Sequence, residues 1–155
     1  MRRYLTLLAL AFLLLFSACS YISNFVVVND SENPVDVRYR IKDSPYELFQ
    51  LVPEPAKAPG ADLRGRNNQW AVLESGDYRL DPQARTITVK VQPHEALRLL
   101  YISNYPGHQD ASGGTRFEID EIVLTGSRGE IVIRGDDARK KFAEESESLY
   151  VLTYK

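Results

Sequence analysis

Few side chains in this 155-residue sequence are suited to covalent or metal chemistry. Cys19 is the only cysteine, and the two histidines are His94 and His108. The sequence contains no G-x-S-x-G motif, which would position a nucleophilic serine, and no glycine-rich phosphate loop. We expect no metal site, because alternating strands place His94 at the end where the first strand starts and His108 at the far end. The sequence therefore predicts a protein that is not an enzyme and uses no cofactor.

The segment FEIDEIVL at 117–124 contains an acid pair, Asp120 and Glu121. With Asp110, these carboxylates would be the candidates for acid–base catalysis. Adjacent residues of a strand, however, point to opposite faces of the sheet. The apolar alternation also slips by one residue at this pair, which is typical of a β-bulge. We therefore interpret the pair as solvated acids in a bulge.

Two long segments without strand pattern, 53–69 and 103–115, are the candidate binding loops. Trp70 follows the first loop, and it either fills one end of the core or stacks on a ligand. The arginines of the first loop could receive an anion or an acidic partner. The candidate binding residues are Arg64, Arg66, Trp70, Tyr105 and His108.

The elements that must position these residues show a period of two. In 35–41 and 87–91, apolar residues alternate with polar ones, which indicates half-buried antiparallel strands. The alternation predicts core positions at Val37, Tyr39, Val89 and Val91. Further strands are expected at 24–30, 47–52, 70–74, 77–81, 96–102, 116–125, 130–134 and 148–154.

Many short strands separated by turn residues predict an all-β fold, an antiparallel β-sandwich that is immunoglobulin-like in outline. One short helix is expected near 137–145, with Asp136 as its N-cap and Phe142 directed inward. If the strands alternate strictly up and down, both candidate loops leave the sandwich at the end far from the start of the first strand.

Residues 1–18 have the three zones of a secretory signal. Arg2 and Arg3 give a positive start, 4–16 is an apolar run of 13 residues, and two small residues follow. A transmembrane helix needs about 20 residues, so this run is too short to span a bilayer.

The end of this signal, Phe16-Ser17-Ala18-Cys19, resembles the lipobox of bacterial lipoproteins, although Phe16 stands where leucine is usual. The resemblance implies that Cys19 is lipidated and that the signal is cut before it, with an ordinary secretory signal as the alternative. Ser20 after the cysteine implies the periplasmic face of the outer membrane, with the inner membrane as the alternative. More than one acyl chain makes such an anchor stable.

The sequence thus divides into a signal peptide at 1–18, a lipidated tether at 19–23 and a β-sandwich at 24–155. Without the two signal arginines, 17 basic residues face 21 acidic ones, which argues against nucleic-acid binding. We expect an envelope lipoprotein that acts as a non-enzymatic module for a protein partner. The alternative is a lipoprotein that binds a small molecule or glycan through loops 53–69 and 103–115.

Overall fold

Two β-sheets pack face to face and form an all-β sandwich. The computed structural model describes residues 22–42, 55–60, 63, 70–103, 117–146 and 149–155. Sheet A contains, in spatial order, β10 (Ala143–Ser146), β11 (Leu149–Tyr154), β1 (Ile22–Asn29), β7 (Glu95–Ser103), β3 (Ala56–Pro59) and β4 (Ala71–Val72). Sheet B contains β5 (Tyr78–Asp81), β6 (Thr86–Val91), β2 (Val35–Ile41), β8 (Ile119–Gly126) and β9 (Gly129–Arg134).

Strand pairing is antiparallel throughout the described sheets, with one exception. β1 and β11 run parallel, with Val26 beside Val151. Parallel neighbours need a long connection, and nearly the whole described chain separates these two strands. The predicted β-sandwich is confirmed, but its eleven described strands exceed the roughly seven to nine of immunoglobulin-type domains.

The main core lies between the sheets and is built from the apolar faces that the alternation predicts. Val37, Tyr39, Val89 and Val91 are all buried, as predicted. Phe25 of β1 meets the ring of Phe117 with 4.8 Å between centroids, so aromatic packing closes one end of this core.

The expected strands are present wherever the described residues cover them, and segment 47–52 lies outside those residues. Two described strands, β3 and β10, were not predicted. β3 lies in the segment interpreted as a long loop, where its prolines obscured the pattern. β1 also begins two residues earlier than predicted, at Ile22.

The single helix of the described residues, α1 (Asp136–Lys140), is shorter than the predicted 137–145. Its N-cap is Gly135, at φ 60°, instead of Asp136. The second half of the predicted helix forms β10 and pairs with β11, because tertiary pairing overrides the helix propensity of alanine and glutamate. α1 connects the edge strand of sheet B to the edge strand of sheet A, and Phe142 beyond it is buried in the main core.

The predicted β-bulge is confirmed at Asp120. Arg40 pairs with Glu121, but Ile41 pairs with Ile119, so Asp120 is the extra residue of β8. Because of this extra residue, the apolar side chains on both sides of the bulge face inward, and Ile119 and Ile122 both enter the main core.

Candidate functional site

Trp70 lies over the outer face of sheet A, on the side away from the main core. One row of residues crosses five strands on this face. Each residue of the row is paired in register with the next one on the neighbouring strand, in the order Val151, Val26, Arg98, Ala56 and Val72. Four of the five side chains are apolar, so this outer face carries an apolar surface interrupted by one cation.

A second hydrophobic cluster covers part of this face. Val26 and Ala96 are fully buried there, and Leu63 and Trp70 pack against the cluster from the segment between β3 and β4. Trp70 therefore belongs to a layer outside the two-sheet sandwich and does not fill the end of the main core.

Trp70 and Arg98 form a cation–π pair. The guanidinium carbon of Arg98 stands 5.2 Å from the centre of the indole ring, and both residues are half-buried. Such a pair holds the indole and the cation in fixed relative positions. Val72, in the same cross-strand row as Arg98, is 51 % exposed. We name the surface formed by Trp70, Val72 and Arg98 the Trp70 patch.

The outer face of sheet B has the opposite character. Lys90 lies 3.0 Å from Asp36, and Arg40 Nε donates to Asp120 at 2.9 Å. The outer face of a two-sheet sandwich is expected to be polar in this way. Sheet A departs from that expectation, because its outer face is largely apolar and Val72 is exposed on it.

The acid pair of the bulge is held by arginines. Glu121 is nearly buried and accepts a hydrogen bond of 2.6 Å from Arg134 Nε, with Arg38 3.9 Å away. Asp120 binds Arg40, and this hydrogen bond raises the pKa of Arg40 above its usual value. Each carboxylate thus has its own basic partner, an arrangement that stabilises ionised side chains. The prediction of solvated acids is wrong for Glu121, which is nearly buried and ion-paired.

The remaining candidate residues lie outside the described residues. They are Cys19, Arg64, Arg66, Tyr105, His108 and Asp110.

The described strands nevertheless show where the two candidate loops leave the sheet. Gly60 donates to His94 O at 2.7 Å, beside the start of β7, whereas Ser103 at the end of β7 pairs with Ile22. The two ends of this nine-residue strand are separated by about 26 Å. The prediction that both loops leave at one end is therefore wrong, because β7 runs antiparallel to β1 and returns the chain to the start of the first strand.

His94 also lies at the other end from the one predicted. Its N–H donates to the carbonyl of Asn29 at the end of β1, and its Nε2 is 3.6 Å from Glu32. A half-open cavity of about 290 Å³ lies at this same end. It is lined by Asp30, Ser31, Glu32, Asn33, Ser127, Arg128, Tyr154 and Lys155. Within the described ranges, no group of three or more His, Cys, Asp or Glu side chains could hold a metal ion.

Trp70 was a candidate from its residue type, whereas Arg98 and Val72, which lie beside it, were not predicted. The available signal was the uninterrupted apolar run FVVV at 25–28, because a strand that is apolar on both faces is buried on both. Phe25 and Val27 enter the main core, and Val26 and Val28 enter the outer cluster.

No family model, curated protein or solved structure matches the chain. In the part of the chain that the structure describes, no helix has the length and apolarity to cross a membrane.

Proposed function

We propose that this chain is a lipid-anchored, non-enzymatic interaction module that binds another protein of the cell envelope through the Trp70 patch. The observation that carries the proposal is the apolar outer face of sheet A. On this face Val72 is half exposed, and Trp70 is held under the guanidinium of Arg98.

The composition of the patch favours a protein partner. Tryptophan and arginine are enriched among the residues that dominate binding energy at protein interfaces. An indole already fixed by a cation and by neighbouring apolar side chains loses little conformational entropy on binding.

The basic residues near the patch indicate the charge expected on the partner surface. The sequence places two cations, Arg64 and Arg66, in the segment just before Trp70. The partner surface should therefore present apolar side chains next to carboxylates, which complement this charge. We do not propose a glycan site formed jointly by loops 53–69 and 103–115, because they leave sheet A at opposite ends of β7.

The proposed anchor is Cys19 at the periplasmic face of the outer membrane. β1 begins three residues after Cys19, so the tether spans at most about 11 Å. A domain held this close to the bilayer would meet membrane-bound or periplasmic proteins.

Site-specific photo-crosslinking in living cells tests the patch as a docking surface. A photoreactive residue at Val72 should yield one defined adduct with another protein, and the same residue at Thr125, exposed on sheet B, should not. Trp70→Ala should abolish the Val72 adduct while the protein level stays unchanged. Identical adducts at both positions, or an adduct at Val72 that survives Trp70→Ala, would refute the proposal.

A further inference from the structure

β9 forms one edge of sheet B as the described residues define it. It pairs with β8 on one side, and no described strand covers its other side. Ile131 is 49 % exposed and Val132 is 41 % exposed on this six-residue strand. Proteins usually shorten or cover such an edge because it is a template for another strand. We propose that β9 is a self-association site, which pairs antiparallel with β9 of a second copy about a twofold axis at Val132.

The backbone of β9 offers hydrogen-bonding groups in the required positions. Gly126 and Gly129 pair across the two-residue turn between β8 and β9. In such a hairpin the pair next to the turn exchanges hydrogen bonds, and every second pair does the same. The backbone groups that face the open edge are therefore those of Glu130, Val132 and Arg134.

These three residues are also the ones that a twofold axis at Val132 brings together. Val132 would exchange two hydrogen bonds with its own copy, and Glu130 would pair with Arg134 of the partner on each side. Two copies joined in this register would gain about six backbone hydrogen bonds.

The charges select this register. Around Val132, the sequence RGEIVIRGD at 128–136 has the same pattern in both directions, with each charge reversed. Antiparallel pairing thus places Glu130 opposite Arg134 twice. Moving the axis to Ile131 instead places Glu130 opposite Val132, and moving it to Ile133 places Arg134 opposite Val132. Glu130 has no ion pair with the described residues of its own chain, and the side chain of Arg134 is 71 % exposed while its Nε binds Glu121.

The other edge strands of the described sheets suit this role less well. β4 has two residues, and β5 and β10 have four residues each. β10 also carries Glu144 and Glu145, so antiparallel self-pairing would bring like charges together. This inference concerns sheet B and is independent of the Trp70 patch, which belongs to sheet A.

Disulfide crosslinking of the full-length protein tests the register. A hydrogen-bonded antiparallel pair has Cα atoms about 5.5 Å apart, which suits a disulfide. Val132→Cys should therefore form a covalent dimer under mild oxidation. Glu130→Cys should not, because the two copies of this position are about 13 Å apart. The parent chain, which contains Cys19 alone, is the control for disulfides through the native cysteine. No dimer with Val132→Cys, or equal dimer formation at both positions, overturns the proposal.

Sedimentation of the full-length protein in detergent measures the effect on association. Val132→Pro should leave the fold intact, because proline is tolerated where the N–H faces away from the ladder, yet it removes the central hydrogen bonds of the dimer. Glu130→Arg should weaken dimerisation about tenfold by placing like charges opposite each other, and it provides the readout if the proline variant fails to fold. Glu74→Arg, an equal charge change in a turn of the same sandwich, should not alter dimerisation. A protein that is monomeric at all concentrations, or one whose dimer is unaffected by Glu130→Arg, refutes the proposal.

Discussion

Tyr39 places a hydroxyl group inside the main core. Its side chain is fully buried, and its hydroxyl has no hydrogen-bond partner among the described residues. Burial, followed by the neighbouring Tyr78, raises the pKa of this hydroxyl above its usual value. A buried hydroxyl without a partner costs roughly 1–3 kcal/mol.

Removing this hydroxyl should therefore stabilise the protein. We expect Tyr39→Phe to raise the free energy of unfolding by about 1 kcal/mol at pH 7, measured by urea denaturation. An equal loss of stability would show that the hydroxyl has a partner that the described residues do not include.

The same group makes stability depend on alkaline pH. The unfolded chain releases the tyrosine proton near pH 10, whereas the folded chain retains it to higher pH, so the folded state loses stability as pH rises above 10. Between pH 9 and pH 11 the parent should lose about 1.4 kcal/mol more than Tyr39→Phe. Parallel curves for the two proteins would contradict the burial of this hydroxyl.

Gly126 occupies a position where a side chain has no room. A Cβ atom there would lie 2.8 Å from Cζ of Tyr154, which is buried in the main core. Gly126→Ala should therefore lower the free energy of unfolding by about 1–3 kcal/mol, because the buried ring must shift. Gly76→Ala is the matched control, since nothing lies within 4 Å of its added Cβ. Equal effects of the two substitutions in thermal denaturation would argue against close packing at Gly126.

At the scale of elements, the effect of a substitution on stability depends on the face of the strand to which the side chain points. Val89 of β6 is 1 % exposed and faces the core, whereas Thr88 faces outward between Arg38 and Arg79. Val89→Asp would bury a charge without a partner and should cost at least about 3 kcal/mol. Thr88→Asp, placed between two cations, should change stability by less than about 1 kcal/mol. Similar losses from both, measured by chemical denaturation, would contradict the assigned faces of β6.

The alternation of apolar and polar residues predicted the strands that have one apolar face and one polar face. In β2 and β6 this pattern defines both the strand and its buried face, and the phase slip at Asp120 predicted the bulge. β10 was missed because AEES is typical of a helix, and only pairing with β11 makes it a strand.

The candidate site was less predictable because pairing between distant strands builds it. Trp70 could be selected by residue type, but the row that joins Arg98 to Ala56 and Val72 depends on the register of three strands. The positions of the candidate loops depended on the direction of β7, which a count of alternating strands assigned incorrectly.

At the scale of the whole molecule, lipidation decides where the domain acts. We expect a fatty-acid probe supplied to cells to label the protein and Cys19→Ala to abolish the label, because the only cysteine would carry the acyl chains. Ser17→Thr, a mild change in the same segment, should retain most of the label. Labelling that persists in Cys19→Ala would end the lipoprotein interpretation.

Dimerisation through β9 would constrain the orientation of the anchored protein. Antiparallel pairing reverses the strands of the second copy, so the two β1 starts lie at opposite ends of the dimer. Both tethers, each at most about 11 Å long, can reach one bilayer only if the strands lie along the membrane surface.

The position of β9 at the edge of sheet B also determines the valency of such a dimer. A twofold axis through Val132, perpendicular to the sheet, carries each face of one sandwich onto the same face of the other. Both outer faces of sheet A, each with its Trp70 and Val72, would then point in one direction. A partner with two matching surfaces would meet the second one at an effective concentration of about millimolar, so modest affinity at a single patch would produce strong avidity. Substitutions in β9 would then weaken attachment of the partner without altering any residue that contacts it.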